Sequence, residues 1–169
     1  MLQQLSIWAL PVLAAVVLHE LAHGYSAYVL GDSTAARMGR LTLNPIAHVD
    51  LFGTILLPVM LIISGSPFLF GYAKPVPVNF ANLRNPRRDM VYVAAAGPIM
   101  NLILAGLSAF ALKFLFALQL IDDGLVAKSL LASVMINVVL AVFNLFPLPP
   151  LDGGRVATGL LPRQPAHAL

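Results

Sequence analysis

No cysteine occurs anywhere in the 169 residues. Disulfides and thiolate ligands are thereby excluded, and any metal the chain binds must be held by histidine, aspartate or glutamate. Charge is nearly as scarce: charged residues make up 10% of the chain against 59% hydrophobic, with a mean hydropathy of +0.87. That balance excludes an ordinary soluble domain and fits an integral membrane protein. The formal net charge of +3 is no argument for nucleic acid, and no nucleic-acid partner is expected. In a membrane protein the placement of Lys and Arg matters more than their sum. Glutamate occurs once, at Glu20.

That glutamate stands in His19-Glu20-Leu21-Ala22-His23, between the apolar flanks Val12 to Leu18 and Tyr25 to Leu30. A charge at bilayer depth costs about 2.5 to 3.5 kcal/mol even on the mildest insertion scale, so ionisable residues there are functional suspects. In a helix, positions 19 and 23 share a face one turn apart. Both imidazoles can then reach one Zn²⁺ while the adjacent carboxylate addresses water beside it. The mundane alternatives are a solvated helix face and a pair of hydrogen-bonded core histidines. The first lacks the water it needs, and the second leaves Glu20 unexplained.

Four apolar stretches are read, at about 6–30, 51–70, 89–118 and 126–147, in one membrane-embedded unit covering 1–169. The expected fold is an all-α polytopic bundle with three spanning helices, a re-entrant hydrophobic segment and a short extended or β edge. The second stretch is marginal in length and broken by Pro58 and by Ser64-Gly65-Ser66-Pro67. If it dips in and returns, Arg37, Arg40, Lys74, Arg84, Arg87, Arg88, Arg155 and Arg163 share one face, as the positive-inside rule prefers. Re-entry also lets Asp152, just after the fourth stretch, meet the late part of the first helix. Arg84, Arg87 and Arg88 read as an anchor to anionic membrane lipid.

The fourth stretch ends in Asn144-Leu145-Phe146-Pro147-Leu148-Pro149-Pro150-Leu151-Asp152-Gly153-Gly154-Arg155. Its prolines forbid a continuing helix, and the glycines after Asp152 permit a tight turn, which is a way to present an inward-facing carboxylate. The alternative is an aspartate that only caps a short helix over 153–160.

With both motifs present, the chain resembles the site-2 protease family of intramembrane zinc metalloproteases. The resemblance extends to Ala95-Ala96-Gly97-Pro98-Ile99-Met100-Asn101, and to Gly31-Asp32, Arg40 to Asp50 and Gly71 to Asn79, which are similar to the short bacterial subgroup without PDZ or CBS domains. It implies His19, His23 and Asp152 as ligands of one Zn²⁺ per chain and Glu20 as catalytic acid/base. It also implies a transmembrane protein substrate and a multi-pass protein of a bacterial cell membrane, with its site nearer the cytosol. Members of that subgroup are expected to continue into a further transmembrane helix, so a chain ending at Leu169 is read as C-terminally truncated, a fragment or a minimal core.

Smaller assignments stay open. Asn144 is a candidate oxyanion or substrate-positioning donor, or else an interhelical hydrogen bond. His48 is a satisfied loop histidine, a partner behind the zinc ligands, or a gate. Lys74, Val76 and Val78, alternating with prolines, can form an edge that pairs with an unwound substrate, or a rigid polyproline-like loop. Gly97 and Gly106 are expected to allow close helix packing. The leading reading is an endopeptidase acting within membranes. Its competitors are a catalytically inactive zinc-binding scaffold and, last, a zinc transporter. Oligomeric state is not legible.

Overall fold

A computed structural model describes residues 2–66 and 71–161, and every regular element among them is helical. In chain order these are α1 (Leu2–Val29), α2 (Thr34–Arg37), a π-helical run (Leu51–Leu56) continuing into α3 (Leu57–Ile63), α4 (Pro86–Ala117), α5 (Leu125–Asn144) and α6 (Asp152–Leu160), with two short 3₁₀ turns between. Three segments are long and apolar enough to cross a membrane: Gln3–Val29, Pro86–Ala117 and Leu125–Asn144. At ~1.5 Å of rise per residue, the shortest of them already matches a hydrocarbon core of ~30 Å. Pro86 opens α4 at its first turn, where a missing N–H costs nothing. At the other end α5 stops at Asn144 rather than running to 147, because the residue before Pro147 is pushed out of the helical region.

The bundle is packed in the manner of membrane helices, with small and polar residues inside. Ala15 and Ala27 of α1, Gly97, Asn101 and Ala105 of α4, and Ala132, Asn137 and Ala141 of α5 are buried. Leu10, Leu13, Ile99, Phe110, Val139 and Val142 face outward. Small residues let backbones approach where lipid gives no hydrophobic incentive to associate. α4 is central, packing against α1, α5 and α6, while α1 and α5 also touch.

The end of α1 lies beside the start of α4, since Arg84 N–H donates to the Leu30 carbonyl at 3.0 Å. Asp32 reinforces this junction. Its buried carboxylate accepts from the backbone amides of Thr34 and Asn79, the Thr34 hydroxyl and the Asn82 amide. Residues 31–85 therefore leave and return at one end of the bundle.

Within that excursion the helical stretch has six π-helical and seven α-helical residues, a rise of under ~20 Å and too little to cross a bilayer. By Gly71 and Tyr72 the chain is back at the start of the stretch: Tyr72 N–H donates to the Gly53 carbonyl at 3.1 Å, and the Thr54 hydroxyl to the Tyr72 carbonyl at 2.8 Å. Residues 67–70 of the stretch expected over 51–70 lie outside the described residues.

The expected β edge is not confirmed: among the described residues no strand forms, and 71–79 carry no regular structure. Pro75 and Pro77 have no donor to give, and the amides of Lys74, Val76 and Asn79 go to unrelated partners. Lys74 N–H reaches the His48 carbonyl, Val76 N–H the Glu20 carboxylate, and Asn79 N–H the Asp32 carboxylate. Arg40, buried, donates to the carbonyls of Lys74 and Pro75 at 2.9 and 3.3 Å. The segment is pinned residue by residue rather than strand to strand.

Candidate metal centre

His19 and His23 sit one turn apart on α1, their rings edge to face with centroids 4.7 Å apart. His23 lies seven residues before Leu30, roughly 10 Å below that end of the bundle. Asp152 is the first residue of α6. It reaches the histidines because the chain after α5 turns back at Pro147 to Pro150, and because Gly153 and Gly154 let α6 press on that turn. A side chain at 153 would strike the Leu145 and Phe146 carbonyls, and one at 154 would lie 2.7 Å from Pro149 N. The Asp152 carboxylate does not cap its helix, and its Oδ2 faces both imidazoles instead.

Three atoms converge. His23 Nε2 lies 3.0 Å from His19 Nε2, and Asp152 Oδ2 lies 3.2 Å from each of them. All three residues are buried. The opposite side of each ring decides what faces inward. His23 Nδ1 lies 2.7 Å from the Val93 carbonyl, which can only accept, so Nδ1 carries the proton and Nε2 a lone pair. His19 Nδ1 lies 2.5 Å from Asn101 Oδ1, with the same result.

With both rings neutral, two imidazole lone pairs and a carboxylate oxygen meet with no hydrogen between them, an arrangement that repels itself unless a metal ion or a proton occupies the centre. Ligands ~2.0 to 2.1 Å from a tetrahedral ion stand ~3.3 Å from one another, close to what is seen. The space is kept by Gly97 of α4. A Cβ there would collide with His23 Nε2 and lie 2.7 Å from His19 Nε2. Nitrogen and oxygen donors without sulfur suit Zn²⁺, and three protein ligands leave one position open.

Glu20 is beside this cluster but not of it. Its Oε2 accepts the Val76 amide at 2.7 Å, and among the described residues nothing bonds Oε1. Asn144 does not join the site: its Nδ2 donates to the Leu140 carbonyl of its own helix at 2.9 Å, rather than between helices. His48 is buried in the turn Pro45–His48. Its Nε2 donates to the Thr42 carbonyl, and it touches neither ligating histidine nor Asp152. Its Nδ1 and Arg40 Nε are buried without a partner among the described residues. Of Lys74, Val76 and Val78, the Val76 amide meets Glu20 and the Lys74 amide meets the His48 carbonyl.

Sequence reasoning named Asn101 only as the end of a motif and did not single out Asn137, although both are buried behind His19. Asn137 stands alone as an amide in the middle of an apolar helix, and that isolation was the available signal.

The model of "Peptidase family M50" matches residues 7–126 and 116–168. The chain is 44% identical over 156 residues to "Putative zinc metalloprotease YwhC" of Bacillus subtilis (strain 168), covering 89% of this chain and 67% of that protein. It is 35% identical over 142 residues to "Putative zinc metalloprotease Rip2" of Mycobacterium tuberculosis (strain ATCC 25618 / H37Rv), covering 83% of this chain and 52% of that one. A Rip2 of Mycolicibacterium smegmatis is 30% identical over the same 52% of its length. The chain thus spans between half and two thirds of these relatives. No solved structure matches it.

Proposed function

The chain belongs to peptidase family M50, and on that footing we propose that it is an intramembrane zinc metalloendopeptidase, cutting peptide bonds within or near transmembrane segments of other membrane proteins. The observation that carries this reading is the convergence of His19 Nε2, His23 Nε2 and Asp152 Oδ2 beside an unligated Glu20, in a chain with three membrane-length helices. Zinc held by those three groups supplies Lewis acidity, which polarises a peptide carbonyl and makes water more acidic.

The chain's own residues do the rest. Glu20, adjacent to His19 and held on one oxygen by Val76, takes a proton from the attacking water on its other oxygen and gives it to the departing amide nitrogen. Low dielectric around the buried cluster strengthens each of these charge interactions. Asn144 is the candidate to hold the developing oxyanion or the substrate backbone, and to do either it must release Leu140. The segment carrying Lys74, Val76 and Val78 is the candidate guide for an unwound substrate. Its amides at 74 and 76 are already engaged, so pairing through them requires an exchange of partners.

The excursion over 51–70 is read as re-entrant. Its support is the pairing of Leu30 with Arg84 and of Gly53 with Tyr72, which bring it out where it went in. Arg37, Arg40, Lys74, Arg84, Arg87, Arg88 and Arg155 fall at or beyond the ends of α1, α4 and α5 nearest the metal centre, while Lys113 and Lys128 lie towards the opposite ends. By the positive-inside rule this end faces the cytosol of a bacterial cell.

The test is cleavage of labelled single-pass substrates in liposomes, comparing the chain with Glu20→Gln and adding chelator and then zinc. Product that disappears with either change and returns with zinc is expected. Tightly bound zinc with no product would leave a zinc-binding scaffold instead.

A further inference from the structure

We propose that Asn101 and Asn137 form a directional hydrogen-bond relay that fixes the tautomer and aim of His19, which makes Asn101 a positioning residue for the metal. This rests on the metal reading above and extends it to two residues outside the ligand set.

The relay is built from four bonds among the three spanning helices. Asn101 Oδ1 of α4 accepts from His19 Nδ1 of α1 at 2.5 Å. Asn101 Nδ2 donates to the Ala15 carbonyl of α1 at 3.2 Å and to Asn137 Oδ1 of α5 at 2.8 Å. Asn137 Nδ2 donates to the Ser133 carbonyl at 2.9 Å. Both asparagine side chains are fully buried.

An asparagine amide can in principle present either end to a neighbour, and here neither does so freely. The Ala15 and Ser133 carbonyls accept and cannot donate. Ser133 therefore turns the Asn137 nitrogen towards itself and the oxygen towards Asn101. Ala15 and that oxygen together claim both hydrogens of the Asn101 amide. Only an acceptor is left for His19, so its proton is confined to Nδ1 and its lone pair to Nε2, the atom facing His23 and Asp152. Reversing any member leaves two acceptors or two donors facing each other in the interior, where an unmade hydrogen bond costs about 1 to 3 kcal/mol. Polar links between membrane helices commonly serve as glue, but glue needs no fixed sense, and this chain has one at every bond.

The experiment uses the full chain in detergent or nanodiscs, with Zn²⁺ affinity read by competition against a chelating dye and Co²⁺ geometry read by visible absorption. Asn101→Leu is expected to bind zinc 10- to 100-fold more weakly, the usual cost of losing a partner behind a ligating histidine, and to change the cobalt spectrum. Asn101→Asp keeps an acceptor at His19 and is expected to recover most of that affinity. Asn137→Leu leaves His19 its partner but frees the Asn101 amide to turn, and a smaller loss is expected. Ser108→Ala removes the hydroxyl contact to Ser133 but leaves the Ser133 carbonyl and hydroxyl to accept from Asn137, and it is expected to change neither readout. Wild-type affinity and spectrum in Asn101→Leu, or equal losses in Asn101→Leu and Asn101→Asp, would overturn the relay. If Asn101→Leu fails to fold, wild-type affinity in Asn137→Leu would overturn it alone. A parent chain that binds no zinc would overturn the metal reading itself, a result separable from failure of the relay.

Discussion

The backbone amide of Val76 donates to the carboxylate of Glu20 at 2.7 Å, across 56 residues of sequence. The candidate acid/base is thereby held by the segment that Arg40 and His48 also pin. A hydrogen bond to a charged group is worth about 1.5 to 3 kcal/mol. Val76→Pro removes the donor in a segment that already reads Pro75 and Pro77, and it is expected to lower kcat about 10- to 100-fold with zinc affinity unchanged. Val76→Ala keeps the N–H and is expected to stay near wild type. Steady-state cleavage in liposomes beside a zinc titration checks both. A rise in kcat would mean instead that the bond keeps the carboxylate away from substrate.

Acid should loosen the junction between α1 and α4 through Asp32. Burial alone would push its carboxyl up, but the hydrogen bonds from Thr34, Asn82 and Asn79 outweigh this and hold it below the usual carboxylate range. With the folded value depressed, its contribution to stability is complete above the unfolded value of ~3.9 and is lost as pH falls through the lower folded value. Asp32→Asn is therefore expected to be less stable than the parent at pH 7, and the gap should close progressively below about pH 4. Thermal unfolding of both proteins in detergent across pH 3 to 7 measures it, and a gap that persists unchanged to pH 3 would contradict the assignment.

What the sequence made legible follows from how local each signal is. Three spanning helices could be read because apolar length is written in consecutive residues, and the motif around His19 because helical spacing turns i and i+4 into neighbours. Asp152 could be placed near them only by combining proline and glycine chemistry with topology. The partners of the Nδ1 atoms could not be read this way. The Val93 carbonyl is a backbone group that no side-chain pattern announces, and Asn101 meets His19 across 82 residues. The β edge is not confirmed, for a related reason: alternation of Pro and Val limits which backbone groups can pair, but says nothing of which distant groups will take the remaining amides. His48 was left among three roles because its surroundings come from Thr42 and Lys74, neither of which carries a recognisable signal.

Two glycines of α4 separate the metal centre from simple helix packing. Both were expected to permit close approach, yet a Cβ at Gly106 would meet nothing within 4 Å, whereas one at Gly97 would enter the space between His19 and His23. Gly106→Ala is therefore expected to leave zinc affinity unchanged and to raise stability slightly, up to the ~1 kcal/mol by which alanine exceeds glycine in a helix. Gly97→Ala gains the same propensity but puts a methyl group where the ion belongs, and it is expected to weaken zinc binding at least 100-fold while the helices stay formed. Neither change replaces a ligand, so the pair tests whether the space that Gly97 keeps beside His19 and His23 is a requirement. Zinc titration with circular dichroism on both variants decides the matter, and equal affinities would place the ion away from Gly97.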